Sequence, residues 1–242
     1  MLIELAGIPA EVICRHPANE LFLKEYVTDK VPLISVVPTE EDLIRIQADF
    51  DRMDKAEGRP PHKRSSAYLE NNAIHALLAE KLVDFGVLLV HGSALCMDGK
   101  AYIFTAPSGT GKSTHSRLWR EVYGSRVLMI NDDKPLLKIS EAGTTVYGTP
   151  WDGKHHLSCN AYAPLEAVVE LDRDEYNHME PMTGAEAFPL LMKHSYGSRD
   201  PVTMKKIMEL RKRLLETVRF YRLGCNMSPE AARVAFETMS AH

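Results

Sequence analysis

The feature that most constrains this chain is an apolar strand, a glycine loop and an amphipathic helix that follow one another without a break. Ala101 to Thr105 reads as the strand, Ala106-Pro107-Ser108-Gly109-Thr110-Gly111-Lys112-Ser113 as the loop, and Lys112 to Tyr123 as the helix, with a further strand at Val127 to Ile130. Glycines in such a loop let consecutive backbone N–H groups converge on phosphate oxygens, at the positive end of the following helix. Strand, loop, helix and strand at this spacing predict an α/β fold with a nucleotide phosphate site at the strand end. In that site Lys112 reaches the β and γ phosphates, Ser113 offers its hydroxyl to a magnesium ion, and Thr114 supports the α phosphate. The first loop position, usually glycine, is Ala106, which fits if its backbone keeps a negative φ.

Chemistry gathers at the ends of the neighbouring apolar segments. Asn131-Asp132-Asp133 follows the strand Val127 to Ile130, where a nucleotide-bound magnesium ion needs an anionic partner opposite the serine. Two adjacent aspartates permit a division of labour: we expect Asp132 on the metal side and Asp133 as the base that takes the proton of an attacking hydroxyl. One of them can instead pair with Lys134. His91 ends a strand at Val87 to Val90, and its imidazole reaches the terminal phosphate if that strand lies beside the one leading into the loop. A loop from Tyr147 to His156 carries Trp151, Asp152, Lys154, His155 and His156. The adjacent histidines would point to opposite sides of an extended chain, which argues against a zinc site there.

The remaining elements are read from periodicity. Short strands are expected before Pro38, then a helix capped by Thr39 with Glu40, Glu41 and Asp42 in its first turn. The polar stretch from Asp54 to Arg64 is the expected boundary, giving a small N-terminal α/β region at 1–62 and the nucleotide-binding core at 63–242. A helix with an apolar stripe of Leu69, Ala73, Leu77, Leu78 and Leu82 opens that core. Asp98-Gly99 predicts a hairpin between Ala94 to Met97 and Ala101 to Thr105. Leu136 to Ile139 and Thr144 to Tyr147 suggest an antiparallel pair, Leu165 to Leu171 a strand, and the C-terminal part helices near 184–192, 202–217 and 229–239.

Composition narrows the partners. Among 242 residues, 33 are acidic and 29 are Lys or Arg, a formal net charge of -4. No global basic field exists to hold nucleic acid, and the runs Lys205-Lys206 and Arg211-Lys212-Arg213 read as a solvated helix face. Cys14, Cys96, Cys159 and Cys225 form no Cys-x-x-Cys pair, so neither a disulfide framework nor a zinc knuckle is indicated. No run approaches the 18 apolar residues of a membrane span, and with no basic segment leading into an apolar run at the start, a cytoplasmic location is expected. A homo-oligomer stays open.

His91-Gly92, the loop Ala106 to Ser113 and the strand ending Asn131-Asp132-Asp133, in that order, resemble the C-terminal domain of bacterial HPr kinase/phosphorylase and its small relatives, among them kinases that phosphorylate a serine of a lasso-peptide precursor. The likeness covers roughly residues 86 to 175. It implies a phosphate-loop core like the nucleotide-binding half of phosphoenolpyruvate carboxykinase, with a mixed β-sheet, His91 near the transferred phosphate, and Asp132 and Asp133 supplying base and metal contact. The chain departs from the family at Ala106 and at Tyr147-Gly148-Thr149-Pro150-Trp151, where the family has a glutamate-bearing glycine-rich segment. Both departures weigh against HPr as acceptor. The function expected is that of a magnesium-dependent kinase using ATP or another nucleoside triphosphate, with a hydroxyl-bearing peptide, protein or small molecule as acceptor. The alternative is a nucleotide-binding ATPase or switch that transfers to no acceptor. A carboxykinase acting on a small acid is disfavoured, because no second metal cluster or set of carboxylate-binding arginines is evident.

Overall fold

The computed structural model describes residues 1–107, 109–153 and 156–241. The chain is mixed α/β and divides into two compact units, Met1–Leu82 and Val83–His242.

The first unit runs β1 (Leu2–Leu5), β2 (Ile8–Val12), α1 (Pro17–Phe22), β3 (Ile34–Val36), α2 (Glu40–Ala56) and α3 (Ser66–Leu82). Its three strands form one sheet in the order β1-β2-β3, antiparallel then parallel. Thr39 caps α2 as expected: its side chain accepts from the Asp42 N–H while the Asp42 carboxylate accepts from the Thr39 N–H, which satisfies two donors at the helix start. Leu43 and Ile46 of α2 pack with Ala73 of α3. The polar stretch ending Pro60-Pro61-His62 therefore lies inside this unit, and the helix that follows it belongs to it. Its reach is anchored by Asp54, nearly sealed from solvent, which binds Arg59 and Arg64.

The second unit contains β4 (Val87–Leu89), β5 (Ser93–Met97), β6 (Lys100–Thr105), α4 (Lys112–Tyr123), β7 (Val127–Asn131), β8 (Leu136–Ser140), β9 (Gly143–Tyr147), β10 (Tyr162–Arg173), β11 (His178–Pro181), α5 (Gly184–His194), α6 (Pro201–Thr217), β12 (Arg219–Cys225) and α7 (Glu230–Ser240). The main sheet path is β4-β8-β9-β10-β6-β5-β7, and β12 pairs with both β10 and β11. Asp98 (φ 52°) and Gly99 (φ 80°) make the expected hairpin between β5 and β6, both in the left-handed region that a two-residue turn of this type requires. β5 is antiparallel to β6 and to β7, so β6 and β7 run the same way with α4 as their crossover.

Alternation along the strands gives the sheet two apolar faces. Ile103 of β6 and Val168 of β10 join one core with Ala187, Leu190, Ile207 and Leu214 of α5 and α6. Tyr102 and Phe104, one residue to either side of Ile103, join the other with Leu118 and Trp119 of α4 and Ala231 and Ala235 of α7. Each fully buried large apolar side chain in these layers contributes about 1.5–3 kcal/mol relative to exposure, so the strands that carry the site rest on a packed interior.

Three sequence expectations are corrected here. The C-terminal part is not helical throughout, because β12 enters between α6 and α7 and runs parallel to β10. Arg211 does not belong to a solvated face: it is 1% exposed, and its guanidinium donates to Ser195 Oγ and to the Tyr196 carbonyl. The strand before His91 does not lie beside β6; β4 pairs with β8 instead.

Candidate functional site

The loop leaves β6 and enters α4 with its glycines in conformations that L side chains rarely adopt, Gly109 at φ 79° and Gly111 at φ 127°. Ala106 is not among the residues with positive φ, and its methyl is buried in the core beside Leu118 and Trp119. That explains how alanine serves at the first position: the place is apolar and its backbone is ordinary. Lys112 Nζ donates back across the loop to the Ala106 carbonyl at 3.1 Å. Ser113 is exposed and Thr114 half-buried on the first turn. Ser108 lies outside the described residues, as do Lys154 and His155 of the downstream loop.

Arg173, at the end of β10, holds the loop from the other side. Its guanidinium donates to the Gly109 carbonyl at 2.5 Å and to the Thr110 carbonyl at 3.4 Å. No sequence signal marked this residue, since its partners are backbone atoms far away in the chain.

His91 reaches the same strand end by an indirect route. Beyond β4 the chain bends, and from Ser93 it pairs with β6, Ser93 opposite Phe104. The Thr105 hydroxyl donates to the His91 carbonyl at 3.0 Å, the His91 N–H to the His194 carbonyl at 2.7 Å, and the Gly92 N–H to the Asp133 carbonyl at 3.1 Å. These bonds place the imidazole with Nε2 3.4 Å from Asp133 Oδ1, and Nδ1 accepts from Lys134 Nζ at 3.1 Å. Lys134 Nζ is also 4.0 Å from Asp133 Oδ2. Burial, then the positive charges of Lys134 and Lys112, push the His91 imidazole down to about 3, so it is neutral at physiological pH. The ring of His194 meets it edge-on at 6.2 Å, and burial together with nearby lysines lowers His194 to about 4. Burial also lowers the Lys112 ammonium, while the negative charge of Asp133 opposes that shift.

The two aspartates face different surroundings. Asp133 looks toward His91 and Lys134. Asp132 is buried, and its Oδ1 accepts from the Gly153 N–H of the Trp151 loop. Asn131 closes the turn that carries them. Its Oδ1 accepts from the N–H groups of Asp133 (2.9 Å) and Lys134 (2.6 Å), while its Nδ2 donates to the Thr149 and Trp151 carbonyls. The downstream loop thus braces the acidic pair. Sequence reading singled out the loop but missed Asn131 as the brace and Lys134 as the partner of His91; an apolar strand ending in an amide before two carboxylates was the available signal.

Among the described residues no group of three or more His, Cys, Asp or Glu side chains could hold a metal ion. A magnesium ion carried by a polyphosphate needs only one or two protein oxygens. The Ser113 hydroxyl and the Asp132 carboxylate, hard oxygen donors, suit that ion. No helix among the described residues is long and apolar enough to cross a membrane.

No protein-family model matches this chain, and no curated protein matches it. Among solved structures, the Hpr(Ser) kinase/phosphatase from Coxiella burnetii aligns with 63% of this chain and 93% of its own, at 10% identity and a TM-score of 0.34.

Proposed function

We propose that this chain is an ATP-dependent phosphotransferase of the HPr-kinase-like phosphate-loop type, acting on a hydroxyl of a peptide, protein or small molecule. The observation that carries the reading is the assembly of Asp133, His91 and Lys134 around one point, with Lys112 near enough for its charge to be felt there. A loop that only held a nucleotide would need no carboxylate set among cations and a neutral imidazole.

In this reading the backbone N–H groups of the loop from Gly109 to Ser113 and the Lys112 ammonium hold the phosphates, and Thr114 supports the α phosphate. Ser113 and Asp132 would hold a magnesium ion, which would supply positive charge to offset that of the phosphates. The acceptor oxygen attacks the γ phosphorus, the bond from that phosphorus to the β–γ bridging oxygen breaks, and Asp133 takes the hydroxyl proton as the diphosphate leaves. Lys112 and Lys134 offset the charge of the transferring group. His91, neutral and fixed at Nδ1 by Lys134, presents its Nε2–H beside Asp133 and positions that carboxylate.

Incubation with γ-labelled ATP and cell extract tests the proposal. Label in an acceptor, lost in Asp133→Asn, is the expected result. Phosphate release that needs no acceptor and is stimulated by a partner would instead support the ATPase or switch.

A further inference from the structure

A cavity of about 450 Å³ opens on the side of the phosphate loop away from His91. Sheet order sets this arrangement: β5 and β7 lie on one flank of β6, and β10 and β12 on the other. Since β6, β10 and β12 are parallel, their C-terminal ends rise together, and ligands of open α/β sheets bind at such ends. Gly109 and Gly111 of the loop form one wall, Leu118 of α4 another, and Leu171, Cys225 and Met227 the apolar remainder.

We propose that this cavity takes the nucleoside of the triphosphate and holds it by shape and apolar contact, with little discrimination between adenine and guanine. The inference rests on the phosphate-loop reading given above and adds to it the place and the selectivity of the base. The volume suits a small organic ligand. The cavity begins at the loop glycines, so a nucleoside within it leaves its phosphates along the loop and directs the last one toward Asp133.

Low selectivity follows from the polar groups of the lining. The Arg173 guanidinium is committed to the Gly109 and Thr110 carbonyls. Asp174 Oδ1 accepts from the Tyr176 N–H, and the Asn226 amide both donates to the Glu175 carbonyl and accepts from the Ser228 N–H. His115 accepts an indole N–H from Trp119 at Nε2 and is sealed from solvent at Nδ1. These groups have hydrogen bonds of their own to keep, and the other two polar side chains of the lining, Thr110 and Thr114, sit on the loop and the first turn of α4, where the phosphates would run. A site recognises a base edge strongly only when it offers groups that the wrong base would leave unpaired. Apolar walls contribute affinity without reading that edge.

The test is calorimetric titration of the full chain, with magnesium present, by tripolyphosphate, ATP and GTP. ATP is expected to bind at least tenfold more tightly than tripolyphosphate, with GTP within tenfold of ATP. Met227 is 79% exposed, so Met227→Ala should fold normally. It should weaken ATP and GTP threefold or more while leaving tripolyphosphate unchanged. Tripolyphosphate binding as tightly as ATP, or a base preference above tenfold, overturns the pocket assignment and leaves the phosphate loop standing. Failure of all three ligands to bind overturns the phosphate-loop reading and this inference with it.

Discussion

Lys134 Nζ lies 3.1 Å from His91 Nδ1, and an ammonium can only donate, so Nδ1 carries no proton and the hydrogen of the neutral ring sits on Nε2, the atom 3.4 Å from Asp133. The tautomer is thereby fixed by a residue adjacent to the carboxylate it serves. In nitrogen-resolved NMR of the labelled protein, His91 should show an unprotonated Nδ1 and a protonated Nε2. Lys134→Met should release that preference and slow transfer by about 10²–10³-fold, the scale of losing one preorganised electrostatic donor, with ATP affinity changed far less. A tautomer unaffected by the substitution would remove Lys134 from this role.

Lys112→Ala should abolish transfer and weaken nucleotide binding, because the proposed reading gives its ammonium to the phosphates. Asp133→Asn should keep nucleotide affinity within a few fold and lower the single-turnover rate by about 10² or more, as expected when a proton acceptor is removed. If affinity and rate fell together, Asp133 would belong with the metal contacts rather than with the base.

Much of this site was legible because its parts are local in sequence. The strand before the loop, the Asp98-Gly99 turn and the cap of α2 each depend on a few consecutive residues, so pattern and propensity sufficed. β12 escaped because Arg219 and Arg222 interrupt its apolar residues, and its pairing with β10 joins segments some fifty residues apart in the chain. β11 holds only four residues, one of them a proline. Arg173 and Lys134 were hidden for a different reason: their partners are backbone atoms or a ring brought near by sheet order, and no spacing rule along one chain encodes that. Asn131 is half local, since its bonds to the Asp133 and Lys134 N–H groups form a turn of the Asx kind, while those to Thr149 and Trp151 depend on the fold.

Asn131→Ala should cost about 2–4 kcal/mol, since a fully buried amide that serves two N–H donors and several acceptors leaves them without partners. The Trp151 carbonyl is one of those acceptors, so a change in tryptophan emission should accompany the loss. Guanidinium unfolding of wild type and variant measures it. A cost below 0.5 kcal/mol would mean the brace is dispensable.

In the first unit, Glu70 is fully buried and its two carboxylate oxygens accept from the Arg15 N–H, the His16 N–H and the Asn19 side-chain amide. Glu70→Ala should destabilise this unit by about 3 kcal/mol or more, through the donors it strands. Hydrogen exchange should register it at Arg15 and His16 before any residue of the second unit. Uniform loss of protection across both units would contradict that local account.

Acid should loosen the second unit through His115. The ring is 2% exposed, its Nε2 accepts from the Trp119 indole, and burial pushes it down to about 3 from an ordinary value of 6.5. The unfolded chain takes up this proton as pH falls through about 6.5, while the native ring stays neutral until about 3. The contribution is therefore complete above 6.5 and declines below it, at about 1.4 kcal/mol per pH unit for one proton. His91 and His194 shift in the same direction and steepen the decline. Both tryptophans, Trp119 and Trp151, lie in the second unit, so their emission follows its guanidinium unfolding at pH 7.5, 6 and 5. His115→Gln keeps an acceptor for the indole and cannot titrate; it should show a shallower loss between pH 6 and 5 than wild type. Identical slopes would mean that His115 takes no part in the acid response.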